Sequence, residues 1–301
     1  MAGYGVSGRV VVVTGAAGGL GKVLAAELIA RGARVALLGR NEAAVATLAA
    51  ELGAPSIVRS FRADVQDLAS LDRAFSAVAD DFGGIDVVVA NAGVADPTER
   101  IADLDPHSWE RTVDINLNGT FRTMRAALPH VTARQGYLLA ISSMAAFVHA
   151  PLQGAYTATK AGVWAFCDTL RLEVAADGVG VGSAHPTFFE TPMTDAVTAD
   201  PAAARLWRQH RPLLWRFAPI DDVVADIIDG IEHRAAHIAS PRRNLPGILA
   251  AGTLQTIAER IGFPGNAIAE AVTIARRSAI TRRNTTRPDQ DAQPGITDDP
   301  R

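Results

Sequence analysis

Tyr156 and Lys160 stand four residues apart at the start of a segment with helical periodicity, so both side chains leave one face of it. A phenol with an ordinary pKa of about 10 is a weak base near neutrality. A neighbouring ammonium favours the phenolate and lowers that value, which suits a group that exchanges a proton with an alcohol or carbonyl oxygen. Chance often produces this spacing, but here it draws on scarce residues. Lys160 is one of two lysines, with Lys22, among 29 basic residues, and Tyr156 is one of three tyrosines. Ser143 lies thirteen residues before Tyr156, at the end of a predicted strand, where its hydroxyl can hold a substrate oxygen. Asn116 sits inside a predicted helix, where asparagine is disfavoured by propensity, and is read as holding a water that relays protons to Lys160. Either residue alone is more simply a satisfied polar group.

A second group of residues addresses a nucleotide. Thr14-Gly15-Ala-Ala-Gly18-Gly19-Leu20-Gly21 joins a β-branched run to a helical one. A turn without side chains lets backbone N–H groups and the positive end of a helix approach a pyrophosphate. The second strand ends in Gly39-Arg40-Asn41, where an acidic residue would read the adenosine ribose of NAD. Glycine leaves room for a 2′-phosphate, and the Arg40 guanidinium can clamp it, with Asn41 assisting. The spacing therefore predicts NADP rather than NAD. Asp64-Val65 ends the third strand near an adenine edge, and Asn91-Ala92-Gly93 is a small-residue turn after the fourth. Each of these singly is what an ordinary turn would contain.

The elements that position these residues alternate. Strands are expected at 9–13, 35–38, 56–62, 85–90, 137–142 and 179–184. Helices are expected at 19–31, 42–52, 68–82, 109–132 and 155–176. Continuous apolar strands separated by helices predict a Rossmann-like, doubly wound parallel sheet flanked by helices, of class α/β. After Pro186 the rhythm breaks into an irregular or helical excursion at 191–217. A helix at 221–233 and a short strand at 237–239 follow, then one or two amphipathic helices at 245–279 interrupted near 262–265. The division expected is a catalytic domain at 1–240, a C-terminal helical extension at 241–281 and a disordered tail at 282–301, whose polar composition cannot offset ordering entropy.

Composition narrows the classes. With 48% hydrophobic residues and a net charge of −3, the 301-residue chain reads as a packed globular protein without the basic balance of a nucleic-acid binder. The single cysteine, Cys167, precludes an intrachain disulfide. No apolar run reaches the roughly 20 residues of a membrane span, and no signal peptide is read at the N-terminus, so a cytoplasmic location is expected. Between 242 and 283, seven arginines face two glutamates. That segment is read as packing on the parent domain, with a subunit contact or peripheral contact with an anionic membrane as alternatives.

Together these segments resemble the compact, single-domain branch of the short-chain dehydrogenase/reductase family over roughly residues 7–240. The resemblance implies a catalytic tetrad of Asn116, Ser143, Tyr156 and Lys160 and no metal. Lys160 and Tyr156 would bind the nicotinamide ribose, and Pro186, the Phe189 backbone and Thr191 the carboxamide. It also implies a homodimer or homotetramer and an NADP(H)-dependent alcohol/carbonyl interconversion. One departure stands out: the family usually follows the proline at 186 with glycine, and this chain has Thr187.

Phe147, Val148, Leu152, Phe188, Phe189, Met193, Trp207, Trp215 and Phe217 suggest a pocket for an apolar small molecule (lipid, steroid, retinoid or terpenoid-like), or else are core. His185 and Cys167 are read as packed residues. A non-enzymatic NADP-sensing or scaffold protein on this frame would tend to lose the tyrosine or the lysine; both are present. A methyltransferase would want an acid after the second strand, and an epimerase a fuller C-terminal domain.

Overall fold

Residues 4–207, 217–250 and 266–285 are described by the computed structural model of the chain. β-Branched and aliphatic runs supply its strands: β1 Val10–Thr14, β2 Arg34–Gly39, β3 Val58–Arg62, β4 Val87–Ala90, β5 Tyr137–Ile141, β6 Gly180–Pro186 and β7 His237–Ser240. They pair in parallel in the order β3-β2-β1-β4-β5-β6-β7. Successive side chains alternate faces, and both faces are covered. Val11, Val13 and Leu37 pack with Leu24 and Leu28 of α1 (Gly19–Ala30) and Ile227 and Ile231 of α9 (Ile220–Glu232). Val10, Val12 and Leu38 pack on the other side with Leu71 and Phe75 of α3 (Leu68–Phe82), Met124 of α5 (Gly119–Thr132) and Val163 of α6 (Gly154–Glu173). α2 (Glu42–Leu52) lies between β2 and β3 in the chain. The doubly wound α/β arrangement expected from the sequence is the one observed.

Two expectations are corrected. The single helix at 109–132 is α4 (Pro106–Val113), a π-helical turn at Asp114–Asn118, and then α5. The Gly119 N–H donates to the Asp114 carbonyl, a wider turn than an α-helix makes, and Asn116 sits inside it. Periodicity at 3.6 residues cannot reveal a bulge whose cause is a distant contact. The tail expected to be disordered from Arg282 is helical over its first four residues, which belong to α11 (Ala267–Thr285). Extending a nucleated helix costs little, and arginine is a good helix former. The rest of that tail lies outside the described residues.

The excursion after β6 contains α7 (Pro192–Ala199) and α8 (Pro201–Trp207). A short helix, α10 (Leu245–Leu249), follows β7. The extension does not stand apart. Ala271 and Ala275 of α11 join a buried cluster with Ala202, Ala203 and Leu206 of α8 and with Met144, and Arg205 pairs with Glu270 at 2.5 Å. Packing on the parent domain is therefore the reading met for α11. Leu254, Ile257, Ile261 and Trp215 lie outside the described residues. Among the described residues, no helix is long and apolar enough to cross a membrane.

The β1–α1 turn is a tight point of this frame. A Cβ on Gly21 would lie 2.6 Å from the Gly15 carbonyl oxygen, whereas one on Gly5 would meet nothing within 4 Å. Gly21→Ala is expected to lower the unfolding free energy by about 1–3 kcal/mol in denaturant titration. Gly5→Ala should stay within about 0.5 kcal/mol. Equal effects would show that backbone crowding at residue 21 is not what the turn requires.

Candidate active site

The carboxyl ends of β1 and β4 lie side by side where the strand order reverses, which opens a crevice between their loops. The Thr14 hydroxyl accepts the N–H groups of Asn91 and Ala92 at 3.0 and 3.2 Å. The Asn91 amide donates back to the Thr14 and Gly15 carbonyls at 2.9 and 3.2 Å. Gly15 has φ +62°, and a Cβ on it would sit 2.8 Å from the Ala92 Cα. Gly18, Gly19 and Leu20 continue the wall as α1 begins, and Gly21 backs it. The resulting groove, about 300 Å³, also takes in Gly39, Arg40, Asn41, Asp64, Val65, Asn91, Ala92 and Gly93. Every residue assigned from the sequence to the glycine turn or to the ends of β2, β3 and β4 thus borders one crevice or directly supports it.

At the end of β2, a Cβ on Gly39 would lie 2.6 Å from Val45 Cγ1, so the position does not accept an acidic side chain without movement. Arg40 is exposed at the groove. The Asn41 side-chain oxygen caps α2 by accepting from the Ala44 N–H at 3.1 Å, which leaves its amide nitrogen for a ligand. Asp64 is occupied similarly, accepting from the Gln66 N–H at 3.0 Å. Arg111 of α4 lines the same groove and was not singled out in the sequence; a lone arginine on a helix carries no signal of its own. The crevice has the features a dinucleotide requires: side-chain-free backbone at a helix N-terminus, apolar walls and two guanidinium groups.

Beyond this groove the loop running from β4 organises the second half of the site. The Asn116 amide clasps Val94, accepting from its N–H at 2.8 Å and donating to its carbonyl at 2.9 Å. The side chain expected to hold a relay water is thus committed to backbone. Gly93 lies in the angle between Asn116 and Lys160: a Cβ there would be 3.3 Å from Asn116 Oδ1 and 3.8 Å from Lys160 Nζ. The buried Lys160 ammonium donates to the Ile141 carbonyl at 2.8 Å and lies 5.4 Å from the centre of the Tyr156 ring. Burial lowers its pKa to about 8. The Ser142 hydroxyl donates to the Lys160 carbonyl at 2.8 Å, tying α6 to the end of β5.

Tyr156 and Ser143 meet, as the spacing anticipated: both side chains line one cavity, and the serine hydroxyl lies near enough to the phenol to lower its pKa. The Ser143 oxygen also accepts the Ala145 N–H at 3.1 Å. The electrostatics differ from expectation. Burial raises the Tyr156 pKa; the Ser143 hydroxyl pulls it down, and the Asp96 charge pushes it up. The ammonium that was to acidify the phenol is directed at a backbone carbonyl. The phenol of the free protein accordingly holds its proton.

Asp96 is the group the sequence concealed. The α6 N-terminus has no side-chain cap of its own. The buried Asp96 carboxylate supplies one from 59 and 60 residues away, accepting the Ala155 and Tyr156 N–H groups at 3.1 and 3.2 Å. Burial outweighs these bonds and raises its pKa to about 6. His185, read as packed, is fully buried, and its pKa falls to about 3, mainly through burial. Its ring lies between the Ser183 hydroxyl at 2.8 Å and the Ser143 carbonyl at 3.4 Å, so it braces the end of β5 as a neutral group. Burial pushes the Cys167 thiol up to about 12, as suits a core residue.

A second cavity, about 110 Å³, opens beside the hydroxyl pair. Its walls include Ser143, Tyr156, Val148, Pro186, Phe188, Phe189 and Met193, and Met193 borders the glycine-lined groove as well. Phe147 and Leu152 belong instead to the buried core, and Phe217 stacks on Phe188 with ring centres 5.7 Å apart. Thr191 lines neither space. Its hydroxyl caps α7 by accepting the Thr194 N–H at 3.2 Å, and its methyl group lies against Gly19. Among the described residues no cluster of metal-ligating side chains is found.

A family model described as short chain dehydrogenase matches residues 9–202. A 2-dehydro-3-deoxy-L-rhamnonate dehydrogenase (NAD(+)) from Sphingomonas sp. (strain SKA58) is 36% identical over 190 residues, covering 63% of this chain and 75% of that protein. A cis-4-hydroxycyclohexanecarboxylate dehydrogenase from Sinomonas cyclohexanicum is 34% identical over 218 residues, covering 72% and 88% respectively. The crystal structure of gox2181 superposes with a TM-score of 0.72 at 28% identity, over 78% of this chain and 95% of that one.

Asp96 makes the site's stability depend on pH. Its folded pKa, about 6, lies above the ordinary carboxylate value, so the folded state binds the proton more tightly. That contribution is fully present below about pH 4 and is lost as pH rises through about 6. Asp96→Asn removes it. The melting temperature of the variant relative to the wild type is therefore expected to be higher at pH 8 than at pH 5. A constant difference across that range would mean that the carboxyl is not strained by burial.

Proposed function

The chain belongs to the short chain dehydrogenase family of oxidoreductases acting on alcohol groups, and on that footing we propose an NADP(H)-dependent enzyme that interconverts an apolar alcohol with its ketone or aldehyde, using Tyr156 as acid/base. One observation carries the reading. Ser143 and Tyr156 stand together in the wall of a largely apolar cavity that adjoins the glycine-lined groove at Met193. A carbonyl compound in that cavity has the Ser143 hydroxyl and the Tyr156 phenol available to its oxygen. A nicotinamide, when bound, supplies or accepts the hydride at the carbon.

In the reducing direction Tyr156 delivers its proton to the oxygen while Ser143 holds that oxygen by a hydrogen bond. The raised phenol pKa keeps the proton in place until it is needed. Lys160 stabilises negative charge developing on the phenol oxygen, and Asn116 fixes the loop over which Lys160 lies. Oxidation reverses each transfer. Phe188, Phe189, Val148 and Met193 keep water from the reacting carbon.

The preference for NADP rests on the end of β2. Gly39 is packed against Val45, no carboxylate follows it, and Arg40 is exposed beside the groove. A guanidinium there answers the doubly charged 2′-phosphate by bidentate bonds. Thr14, Gly15, Gly18, Gly19 and Leu20 would receive the pyrophosphate, Asp64 and Val65 the adenine, and Lys160 and Tyr156 the nicotinamide ribose. The Phe189 N–H would receive the carboxamide, beside Pro186; Thr191, whose hydroxyl is held by Thr194, sets the start of α7 instead.

Tyr156→Phe is expected to reduce turnover by roughly 10²–10⁴-fold in NADPH oxidation assays over apolar ketones and aldehydes. Its affinity for NADPH, from fluorescence titration, should stay near that of the wild type. Equal turnover in both proteins would refute the assigned acid. Arg40→Ala should weaken NADPH roughly tenfold to a hundredfold and leave NADH nearly unchanged. An equal loss for both cofactors would remove the phosphate clamp from the account.

A further inference from the structure

Thr187 occupies the position after Pro186 and lines the cavity that holds Ser143 and Tyr156. Its backbone is fixed, because its N–H donates to the Ser240 carbonyl at 2.8 Å and so bridges β6 to the end of β7. The residue is 7% exposed, and its hydroxyl oxygen has no hydrogen-bond partner. A buried hydroxyl without a partner is unfavourable, and native proteins pair nearly all such groups or reserve them for a ligand. The fold itself makes no use of this one. Other unpaired groups, on Thr157 and Trp164, do not border the cavity, whereas Thr187 does.

The neighbouring hydroxyls are already engaged. Ser143 accepts the Ala145 N–H at 3.1 Å. Thr194 donates to the Phe189 carbonyl at 2.8 Å. The remaining polar side chain in the wall is that of Gln153, which is buried. No charged side chain among the described residues lines the cavity, so a carboxylate or phosphate finds no counter-ion there. A threonine hydroxyl both donates and accepts, and thus suits a neutral oxygen such as an alcohol, ketone or ether.

We propose that Thr187 is a substrate-contacting, specificity-determining residue that selects neutral carbonyl compounds bearing a second oxygen within a few bonds of the reacting carbonyl. The closeness follows from the cavity's size, about 110 Å³, in which the two oxygens share one small space. The inference rests on the alcohol/carbonyl reading above and narrows it from an apolar substrate to one with a single further polar group.

The test compares cyclohexanone with 2-hydroxycyclohexanone and 3-hydroxycyclohexanone in wild type, Thr187→Val, which keeps the shape and removes the hydroxyl, and Thr187→Ser, which restores it. Wild type should favour at least one hydroxyketone by roughly tenfold in kcat/KM, the worth of about one hydrogen bond to a neutral partner. Thr187→Val should abolish that preference while keeping cyclohexanone turnover and NADPH affinity, and Thr187→Ser should recover most of it. Turnover of cyclohexanone that Tyr156→Phe abolishes supports the parent reading independently. Should none of the three ketones turn over, calorimetric titration of each into NADP⁺-loaded protein reads the same ratio from affinities. A preference unchanged in Thr187→Val, absent from wild type, or replaced by a loss of NADPH affinity alone would overturn the proposal.

Discussion

Six residues of loop hold the two halves of this site together. Asn91 leaves β4 against the glycine turn, donating its amide to the carbonyls of Thr14 and Gly15 while the Thr14 hydroxyl accepts the loop's first N–H groups. Gly93 passes beneath Lys160. Val94 is gripped at both its N–H and its carbonyl by Asn116. Asp96 then closes the N-terminus of the helix that carries Tyr156. The glycine-lined crevice and the Tyr156 phenol are set relative to each other by this continuous hydrogen-bonded path. Its stiffness matters because a displacement of the order of 1 Å between reacting groups costs about a hundredfold in rate. The sheet order that brings β1 beside β4 makes the path possible, and the absence of a Cβ at Gly15 lets its backbone approach that of Ala92 closely enough to form it.

Burial acts in opposite directions on the two titrating groups of the site. It disfavours the charged form of each, raising the Tyr156 phenol and bringing the Lys160 ammonium down to about 8. The consequence is a phenol that keeps its proton and a lysine whose charge is easily altered by its surroundings. The carbonyl of Ile141 steadies that charge in the free protein. The π-helical turn at Asp114–Asn118 belongs to the same economy: it brings Asn116 to Val94 instead of continuing a regular helix past it.

Much of this was legible in the residues. Helices α2 and α3 begin and end where Asn41, Asp67 and the glycines at 53 and 83 put them, and the parallel sheet follows from its uninterrupted apolar strands. Tyr156 and Ser143 do meet, since strand ends and helix starts converge on one edge of such a sheet. What stayed hidden depends on contacts between distant residues. The capping role of Asp96 spans 59 residues, and no local pattern announces it. The π turn owes its place to a loop twenty-two residues away in sequence. The direction of the Lys160 side chain was invisible for the same reason, and spacing along a helix predicted proximity to Tyr156 without predicting the carbonyl that receives the ammonium. Thr187 was visible as a departure from a family pattern, but its unpaired hydroxyl became apparent only with its neighbours in place.

Tyr156 is proposed to be a proton-bearing phenol facing a bound nicotinamide. With three tyrosines in the chain, labelling their ring Cζ carbons with ¹³C and following each by NMR against pH isolates it directly. Tyr156 is expected to stay protonated through neutral pH, to titrate above the ordinary phenol range in the free protein, and to shift when NADP⁺ is added. A phenolate at neutral pH in the free protein, or a Tyr156 signal indifferent to saturating cofactor, would contradict it.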